Sequence, residues 1–333
     1  MSGGPLETAL TRHAGIELPI VCGAMYPCGN PELVAAVSAA GGIGIVQPIT
    51  LTHVDGYPLR AGLAYIRSLT TRPIGMNALI EKTSRHYHER MLRWVDEAIE
   101  EGVRFFVTSL GDPRWVVARA HAAGAIVYHD VTEARWAAKA RDAGADGLIA
   151  VNARAGGHAG PRSDAALFDE LRPFGLPVVC AGGVGDAPDF VAALRMGCAG
   201  VQMGTRFIAT PECRASEAYK QAIVAASETD IVLTERISGI PMAVLNTPYV
   251  RRFGLRVDPL SRWLLRQPRT RHAMRAVYAL RAMGGLKRSS FATRDSSGYW
   301  QAGRSVGGIR AIEPAGDIVR RFAAAAAREL GGR

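Results

Sequence analysis

The sequence lacks the features that would place it in a membrane or in an oxidising compartment. No run of about 18 apolar residues occurs in the chain, so no membrane span is expected. The segment from Met1 to Ala14 has no basic-then-apolar signal pattern, and we therefore expect a cytoplasmic protein. The five cysteines are odd in number and form no Cys-x-x-Cys pair, which argues against a disulfide framework and a zinc site.

Several catalytic motifs are absent as well. The chain has no Gly-x-x-x-x-Gly-Lys-Ser/Thr segment and no Gly-x-Gly-x-x-Gly after its first apolar run, so neither a P-loop nor a Rossmann site is favoured. No paired carboxylates stand at the ends of predicted strands, which argues against a glycosidase. His86 and His88 are close in sequence but lie on a predicted helix, where their side chains diverge, so no metal site is expected.

The formal net charge of +10 is confined to one segment. Residues 251–290 hold eleven Lys and Arg and one Asp, which accounts for the whole excess, and the rest of the chain is balanced. Aromatic residues between the arginines permit a nucleic-acid surface. The apolar spacing also suits packed helices with arginines reaching into water, which favours a solvated basic face, with an anionic ligand or a subunit contact as the alternative. We therefore expect no nucleic-acid partner, and the sequence allows a homodimer.

Eight short apolar runs recur through the first 210 residues. They are apolar almost throughout, as in strands that are buried on both faces of a parallel sheet. The predicted strands cover residues 19–24, 42–47, 73–78, 103–108, 125–129, 146–151, 177–181 and 199–203. Helical patterns lie between them, and several end in Ala-Gly or Glu-Gly, where glycine turns the chain back toward the sheet. Eight such units favour an α/β fold, a (β/α)8 TIM barrel, over a doubly wound open sheet.

From about residue 211 the rhythm of the sequence changes. Helical patterns cover Glu217–Ser227, Pro259–Arg266, Arg269–Met283 and Ala315–Leu330, and Ile231–Leu233 is a short β-like run. We therefore divide the chain into a barrel over residues 15–210 and a mainly helical, basic C-terminal extension over residues 211–333 that packs on the barrel.

The chemistry of such a barrel is expected at the carboxyl ends of its strands. Gly182-Gly183 follows the seventh predicted strand, and Gly204-Thr205 follows the eighth. Backbone N–H groups in turns of this kind bind anions, so the two turns together predict a phosphate site, although tight connections to helices would also need glycine. Asn77 lies at the end of the third strand, where an amide could serve a planar heterocycle or cap a loop.

The sixth predicted strand leads into Asn152 and then into Gly156-Gly157-His158. A histidine titrates near neutral pH and suits proton abstraction or donation. The flanking glycines let a ligand approach the backbone, which distinguishes His158 from an ordinary surface histidine. The first strand ends in Gly23-Ala24-Met25, and His129 ends the fifth, where it could line the site or support it from behind.

These blocks together resemble the nitronate monooxygenase family, formerly called 2-nitropropane dioxygenases. The resemblance covers roughly residues 15–250 and rests on Ala155-Gly-Gly-His158, Ala181-Gly-Gly-Val184, Gly200-Val-Gln-Met-Gly-Thr-Arg-Phe207 and Ser238-Gly-Ile-Pro241. It implies an FMN-dependent barrel in which Gly182, Gly183, Gly204 and Thr205 hold the FMN phosphate. It also implies that the flavin is bordered by Gly23, Ala24, Met25, Asn77, Gly156 and Gly157. Asn152 stands where relatives often carry glutamine and would contact the flavin with a shorter side chain.

The resemblance implies that His158 is the catalytic base or positions the substrate. The implied activity is oxidation of alkyl nitronates with O2 to a carbonyl compound and nitrite. The alternative is an NAD(P)H-dependent flavin reductase of enoyl thioesters or quinones, because such reductases share the same blocks. In both cases the substrate is a small molecule, and the flavin carries the redox chemistry.

Overall fold

Eight parallel strands close into a barrel in chain order. The computed structural model describes residues 4, 6–81, 85–258, 261, 263, 264, 267, 271–292 and 298–331. The barrel strands are β1 (Ile20–Cys22), β2 (Ile43–Val46), β3 (Ile74–Leu79), β4 (Phe105–Ser109), β5 (Ile126–Val131), β6 (Gly147–Val151), β7 (Val178–Ala181) and β8 (Gly200–Met203). Each strand overlaps one of the predicted runs, and the predicted (β/α)8 TIM barrel is confirmed.

Alternate residues of the strands fill the barrel interior. Ile45, Phe105, Tyr128 and Val179 belong to one buried cluster, which Leu10 joins from the helix Ala9–Ala14. The intervening residues pack outward against the surrounding helices. Because apolar side chains fill the middle of the barrel, polar groups can meet at the carboxyl ends of the strands.

Helices that follow the strands form the outer layer. They are Pro31–Ala39, Leu59–Leu69, Arg85–Glu100, Arg114–Ala122, Ala134–Asp142, Asp164–Leu171 and Ala187–Met196, with the short helix Thr205–Ile208 after β8. Side-chain caps fix two of the starts: Ser163 Oγ accepts from the N–H of Ala166, and Asp186 Oδ1 accepts from the N–H of Asp189. Gly197 ends one helix in the left-handed region, at φ +102°.

The helix Leu59–Leu69 was missed by the sequence patterns. Gly62 lies near its start, and an ideal Cβ on Gly62 would lie 2.6 Å from Cγ of Leu51. The helix can therefore approach the π-helical turn Thr50–Val54 closely only with glycine at this position. The same glycine lowers the intrinsic helix propensity of this segment, although its apolar residues recur at helical spacing.

The chain after residue 210 combines helices with a small sheet. The helices are Glu217–Ala225, Pro248–Phe253, Arg271–Ser290 and Ala315–Leu330. β9 (Ile231–Thr234) pairs antiparallel with β10 (Met242–Leu245), so the predicted β-like run is confirmed and its partner strand was missed. The predicted helix at 259–266 falls largely outside the described residues, as do residues 269 and 270. The domain boundary at residue 211 remains a prediction.

The last helix takes the place of a full eighth barrel helix. Ala315–Leu330 packs against Ala187–Met196 and Pro31–Ala39, the helices that follow β7 and β1. Phe322 is fully buried in this contact, with its ring 5.9 Å from that of Phe190. Of the helices formed by described residues, none is long and apolar enough to cross a membrane.

Candidate active site

The turn after β7 has room for glycine alone. Gly182 has φ +113° and Gly183 has φ +86°, both in the left-handed region that favours glycine. An ideal Cβ on Gly182 would lie 2.6 Å from the backbone N of Ala155, and one on Gly183 would lie 2.9 Å from Nη1 of Arg154. The loop after β6 therefore covers this turn at close range.

Three amide groups in the turns after β7 and β8 lack an acceptor. Within the part of the chain that the structure describes, the N–H groups of Gly183, Gly204 and Thr205 donate to no protein atom. Gly183 and Thr205 are buried residues, and buried N–H groups without a partner are rare in folded proteins. Grouped backbone donors of this kind form a concavity that suits an oxyanion.

Arg154, which was not predicted as a site residue, lies beside this concavity. Its guanidinium packs against Gly183 and pairs with Glu228 at 2.7 Å. A guanidinium offers several N–H donors and a permanent positive charge, both suited to a phosphate. The residue stands between Asn152 and His158 in the chain, but its direction toward the turn after β7 depends on the folded loop.

Asn152 is fully buried and holds the loops after β6 and β7 together. Its Nδ2 donates to the carbonyl of Gly182 at 2.9 Å, and its Oδ1 accepts from the N–H of Arg154 at 2.8 Å. Both ends of the amide are thus engaged within the protein, which gives Asn152 a part in shaping the turn. Its contact with a flavin remains a prediction.

The segment that carries His158 is held by residues from the end of the chain. The carbonyl of Gly157 accepts from the N–H of Ala243 on β10 at 2.7 Å. An ideal Cβ on Gly156 would lie 2.9 Å from the backbone N of Gly303, so the backbones of these two segments are in contact with no side chain between them. The N–H of Gly303 donates to Thr205 Oγ1 at 3.0 Å. The contacts of Gly303 therefore join the loops after β6 and β8.

His158 lies at the rim of the barrel opening beside Ser238. Its Nε2 is 3.0 Å from Ser238 Oγ. His158 is an exposed residue, yet the surrounding protein removes enough water to lower the pKa of its imidazole below the usual value. The imidazole is therefore neutral at pH 7 and able to accept a proton.

The segment after β1 borders the turn after β8. An ideal Cβ on Gly204 would lie 3.3 Å from Sδ of Met25. Ala24 packs on the cluster that fills the barrel interior. Gly23 lies against Gln202, whose Cγ would be 3.0 Å from a Cβ at this position. Small residues and a flexible thioether thus line this side of the opening.

A layer of polar side chains tops the barrel interior; it comprises Gln47, Asn77, Asp130 and Gln202. Asn77 is 5% exposed and shares the interior face of β3 with Gly75, where a Cβ would lie 2.5 Å from Ile45. In the described structure Gln47 Oε1, Asp130 Oδ1 and Gln202 Oε1 are buried and have no hydrogen-bond partner. Such oxygens are costly unless a ligand or water satisfies them, which marks the opening as a binding site.

His129 faces away from this opening. It is 4% exposed, its Nδ1 lies 2.8 Å from Thr108 Oγ1, and burial lowers its pKa to about 4. Its neighbours Tyr128 and Asp130 face the interior, so His129 packs behind the strands and does not line the site.

The predicted site residues meet at one edge of the barrel. The turns after β7 and β8, the loop after β6, the segment after β1 and the end of β3 all border the same opening. Five further residues of this edge were not predicted from the sequence: Arg154, Gln47, Asp130, Gln202 and Ser238. No cluster of three or more metal-ligating side chains occurs among the described residues.

Comparison with known proteins identifies relatives that agree with the family resemblance of the sequence blocks. A model of the nitronate monooxygenase family matches residues 7–323. Among curated proteins, a (3aS,4S,5R,7aS)-5-hydroxy-7a-methyl-1-oxo-octahydro-1H-indene-4-carboxyl-CoA dehydrogenase of Mycobacterium tuberculosis is 35% identical over 74% of this chain and 68% of its own length. A probable nitronate monooxygenase of Staphylococcus saprophyticus is 28% identical over 75% of this chain and 81% of its own length.

The chain is also similar to solved structures of FabK and of a nitroalkane oxidase. FabK from Thermotoga maritima superimposes with a TM-score of 0.81 at 30% identity, covering 98% of this chain and 97% of that chain. Nitroalkane oxidase from Streptomyces ansochromogenes superimposes with a TM-score of 0.81 at 25% identity, covering 98% of this chain and 100% of that chain. The resemblance expected from the sequence blocks is confirmed.

Proposed function

Because this chain belongs to the nitronate monooxygenase family of oxidoreductases, we propose that it binds FMN at the carboxyl edge of its barrel and oxidises alkyl nitronates with O2. The observation that carries the proposal is the group of unpartnered N–H donors on Gly183, Gly204 and Thr205. A phosphate would satisfy all three, and it would neutralise part of the positive charge of Arg154.

The residues around the opening fit the rest of such a cofactor. The absence of a Cβ on Gly183 keeps the space beside its N–H open. Asn77 makes no hydrogen bond with another described side chain, so its amide is free to meet a polar edge of a planar ring. Ala24 and Met25 supply apolar contact to a ring face, and bare Gly156 and Gly157 let a ring approach the loop backbone.

His158 would act on the substrate at the rim. Bound FMN would supply electron transfer and reaction with O2, as flavins do. His158 is neutral at working pH, so its imidazole can take the α-proton of a neutral nitroalkane, which yields the nitronate and an imidazolium, or hold the oxygens of a nitronate that is supplied as such. Ser238 orients the ring by its contact with Nε2. The products would be a carbonyl compound and nitrite.

The identity of the cofactor is tested first, and the reaction is tested second. The purified protein should be yellow, and heat denaturation should release FMN that mass spectrometry identifies. Under anaerobic conditions an alkyl nitronate should bleach the flavin, while NADH or NADPH should not. A colourless protein that takes up no added FMN would refute the cofactor; bleaching by NADH or NADPH would refute a pure monooxygenase.

A second candidate function is the NAD(P)H-linked oxidation or reduction of a thioester. The support comes from relatives named as carboxyl-CoA dehydrogenases, at 33% and 35% identity, and from the likeness to FabK. The start of the basic segment also lies near the site. Arg236, two residues before Ser238 in the chain, donates from Nε to the carbonyl of Arg256 at 3.0 Å. Exposed arginines there could meet the phosphates of a coenzyme A thioester.

This candidate predicts rapid anaerobic exchange of electrons between the flavin and a pyridine nucleotide. It also predicts that a coenzyme A thioester reoxidises or reduces the flavin faster than an alkyl nitronate does. Binding of the thioester should weaken as salt rises if the arginines contact its phosphates. The two functions thus separate in a single stopped-flow series.

A further inference from the structure

Asp130 occupies an interior position at the carboxyl end of β5. Its neighbours on the same face, Ile126 and Tyr128, pack with the cluster inside the barrel. Val127 and Val131, on the other face, pack outward among the helices. Since side chains alternate along a strand, the carboxyl group of Asp130 faces the barrel opening from below.

Gln202 reaches the same point from β8. Its side chain lies across Gly23, the residue after β1, where an ideal Cβ would lie 3.0 Å from Cγ of Gln202. Its amide hydrogen-bonds the carboxylate of Asp130. This bond spans the barrel, because β5 and β8 are three strands apart in the closed sheet. Asp130 and Gln202 therefore form a polar floor beneath the opening.

The floor has unused hydrogen-bonding capacity. Asp130 Oδ1 and Gln202 Oε1 are buried and lack partners within the described structure. A buried acceptor left unpaired destabilises a protein by roughly 1–3 kcal/mol. Two such atoms at the carboxyl ends of the barrel strands indicate that the floor meets a ligand from above.

We propose that the floor contacts the ring system of the bound flavin, and that the charge of Asp130 sets how readily the ring accepts electrons. The inference rests on the proposed FMN site. Two-electron reduction of a flavin adds negative charge to the ring, so a carboxylate beneath it opposes reduction, whereas a neutral carboxyl group does not. In this site Asp130 is a positioning and tuning residue, and His158 remains the group at the substrate.

The electrostatic surroundings of Asp130 make its charge adjustable. Burial raises the pKa of Asp130 to about 7, and the hydrogen bond from Gln202 works against this rise. No charged side chain of the described residues acts on it; β5 contributes His129, which points to the opposite face, toward Thr108 on β4, and β8 contributes the neutral Gln202. A covering ring would remove further water and hold the pKa at or above this value.

The test compares the flavin midpoint potential of the wild-type holoenzyme and Asp130→Asn across about pH 5.5 to 9, a range that brackets this titration. We expect equal potentials at the acid end, where both side chains are neutral. At the alkaline end the variant should have the higher potential, and the wild-type curve should bend where the variant curve does not. Asp142→Asn, on the exposed end of the helix Ala134–Asp142, is the matched control and should follow the wild type.

Overlapping curves for wild type and Asp130→Asn would overturn the inference while leaving FMN binding intact. A wild-type protein that binds no FMN would overturn the proposed function together with the inference. If Asp130→Asn fails to fold, the visible spectrum of the wild-type holoenzyme can be titrated instead. A transition near or above neutral pH that free FMN does not show in this range would support the inference, and a flat titration would overturn it.

Discussion

Ser238 Oγ lies 3.0 Å from Nε2 of His158 and 3.1 Å from the carbonyl oxygen of Ile240. A carbonyl oxygen only accepts, so the hydroxyl hydrogen of Ser238 is directed to Ile240. Ser238 then accepts from the Nε2–H of His158, and both contacts are hydrogen bonds. This arrangement leaves Nδ1 as the unprotonated nitrogen. Nδ1 is therefore the atom of His158 that can take a proton from a substrate.

Replacement of Ser238 tests this arrangement. Ser238→Ala removes the acceptor for Nε2–H, and kcat should fall about 2- to 10-fold because one hydrogen bond of about 0.5–1.5 kcal/mol is lost. Ser238→Thr keeps the hydroxyl and should restore most of the rate. Equal rates in the alanine and threonine variants, measured by steady-state kinetics, would show that the hydroxyl does not orient His158.

Removal of the imidazole itself should have a larger effect. His158→Ala should retain bound FMN while turnover of a neutral nitroalkane falls by ~10²–10⁴, the range typical of a lost general base. His121→Ala is a suitable control, since His121 pairs with Asp146 on the outside of the barrel. Flavin absorbance and turnover measured on the same samples separate binding from catalysis. Undiminished turnover would exclude His158 from the reaction.

The pH profile should reflect the environment of His158. Its surroundings lower the pKa by desolvation, which disfavours the charged imidazolium. A base must be unprotonated to act, so kcat/KM should fall on the acid side only below the pKa of free imidazole. His158→Ala should lose this acid limb. A limb centred above the value for free histidine would contradict the proposed role.

A side chain on Gly183 should expel the cofactor. Gly183→Val places a Cβ against Arg154 in a backbone region that disfavours branched residues, and it crowds the space beside the unpartnered N–H groups. Gly124→Val is the matched control, because Gly124 has φ +65° with nothing within 4 Å of an ideal Cβ. Both variants carry backbone strain of about 1–3 kcal/mol. Only Gly183→Val should lower the ratio of FMN to protein.

The stability of the apoprotein should respond to pH through Asp130. Its pKa is about 7 in the folded protein and 3.8 in the unfolded chain, so between these values the folded state holds a proton that the unfolded state has released. Stability therefore falls as pH rises through this window. Asp130→Asn removes the loss, and its advantage over wild type in urea denaturation should grow by about 1–3 kcal/mol from pH 4 to pH 8. A constant difference would contradict the assignment.

Local sequence patterns predicted the strands and part of the site, but they did not predict contacts that form only when the barrel closes. Eight continuous apolar runs sufficed for the strands, and Gly183 and His158 stood out because glycines surround them. Asp130 is a single polar residue in an apolar run, and its importance depends on Gln202 reaching it across the closed barrel. Which face of β5 points inward is settled only when the sheet closes.

Strand β10 shows the same limit. The run Met242–Leu245 is short and apolar, with no period that separates strand from buried helix. Its partners are β9, Gly157 and Gln301, of which two lie more than fifty residues away in the chain. Only the folded chain brings these segments together, so the support of the His158 loop could not be anticipated locally.

The seat of the last helix between Pro31–Ala39 and Ala187–Met196 has a consequence for biosynthesis. When β8 has emerged from the ribosome, Phe190 is still exposed, because Phe322, which packs against it in the folded protein, has not yet been synthesised. The segment near Gly303, which joins two loops of the active site, emerges just before that helix. We expect that the barrel closes, that this apolar surface is buried and that the protein becomes able to bind a cofactor only after the helix Ala315–Leu330 has been synthesised. Contacts between residues far apart in the chain should then govern the folding rate.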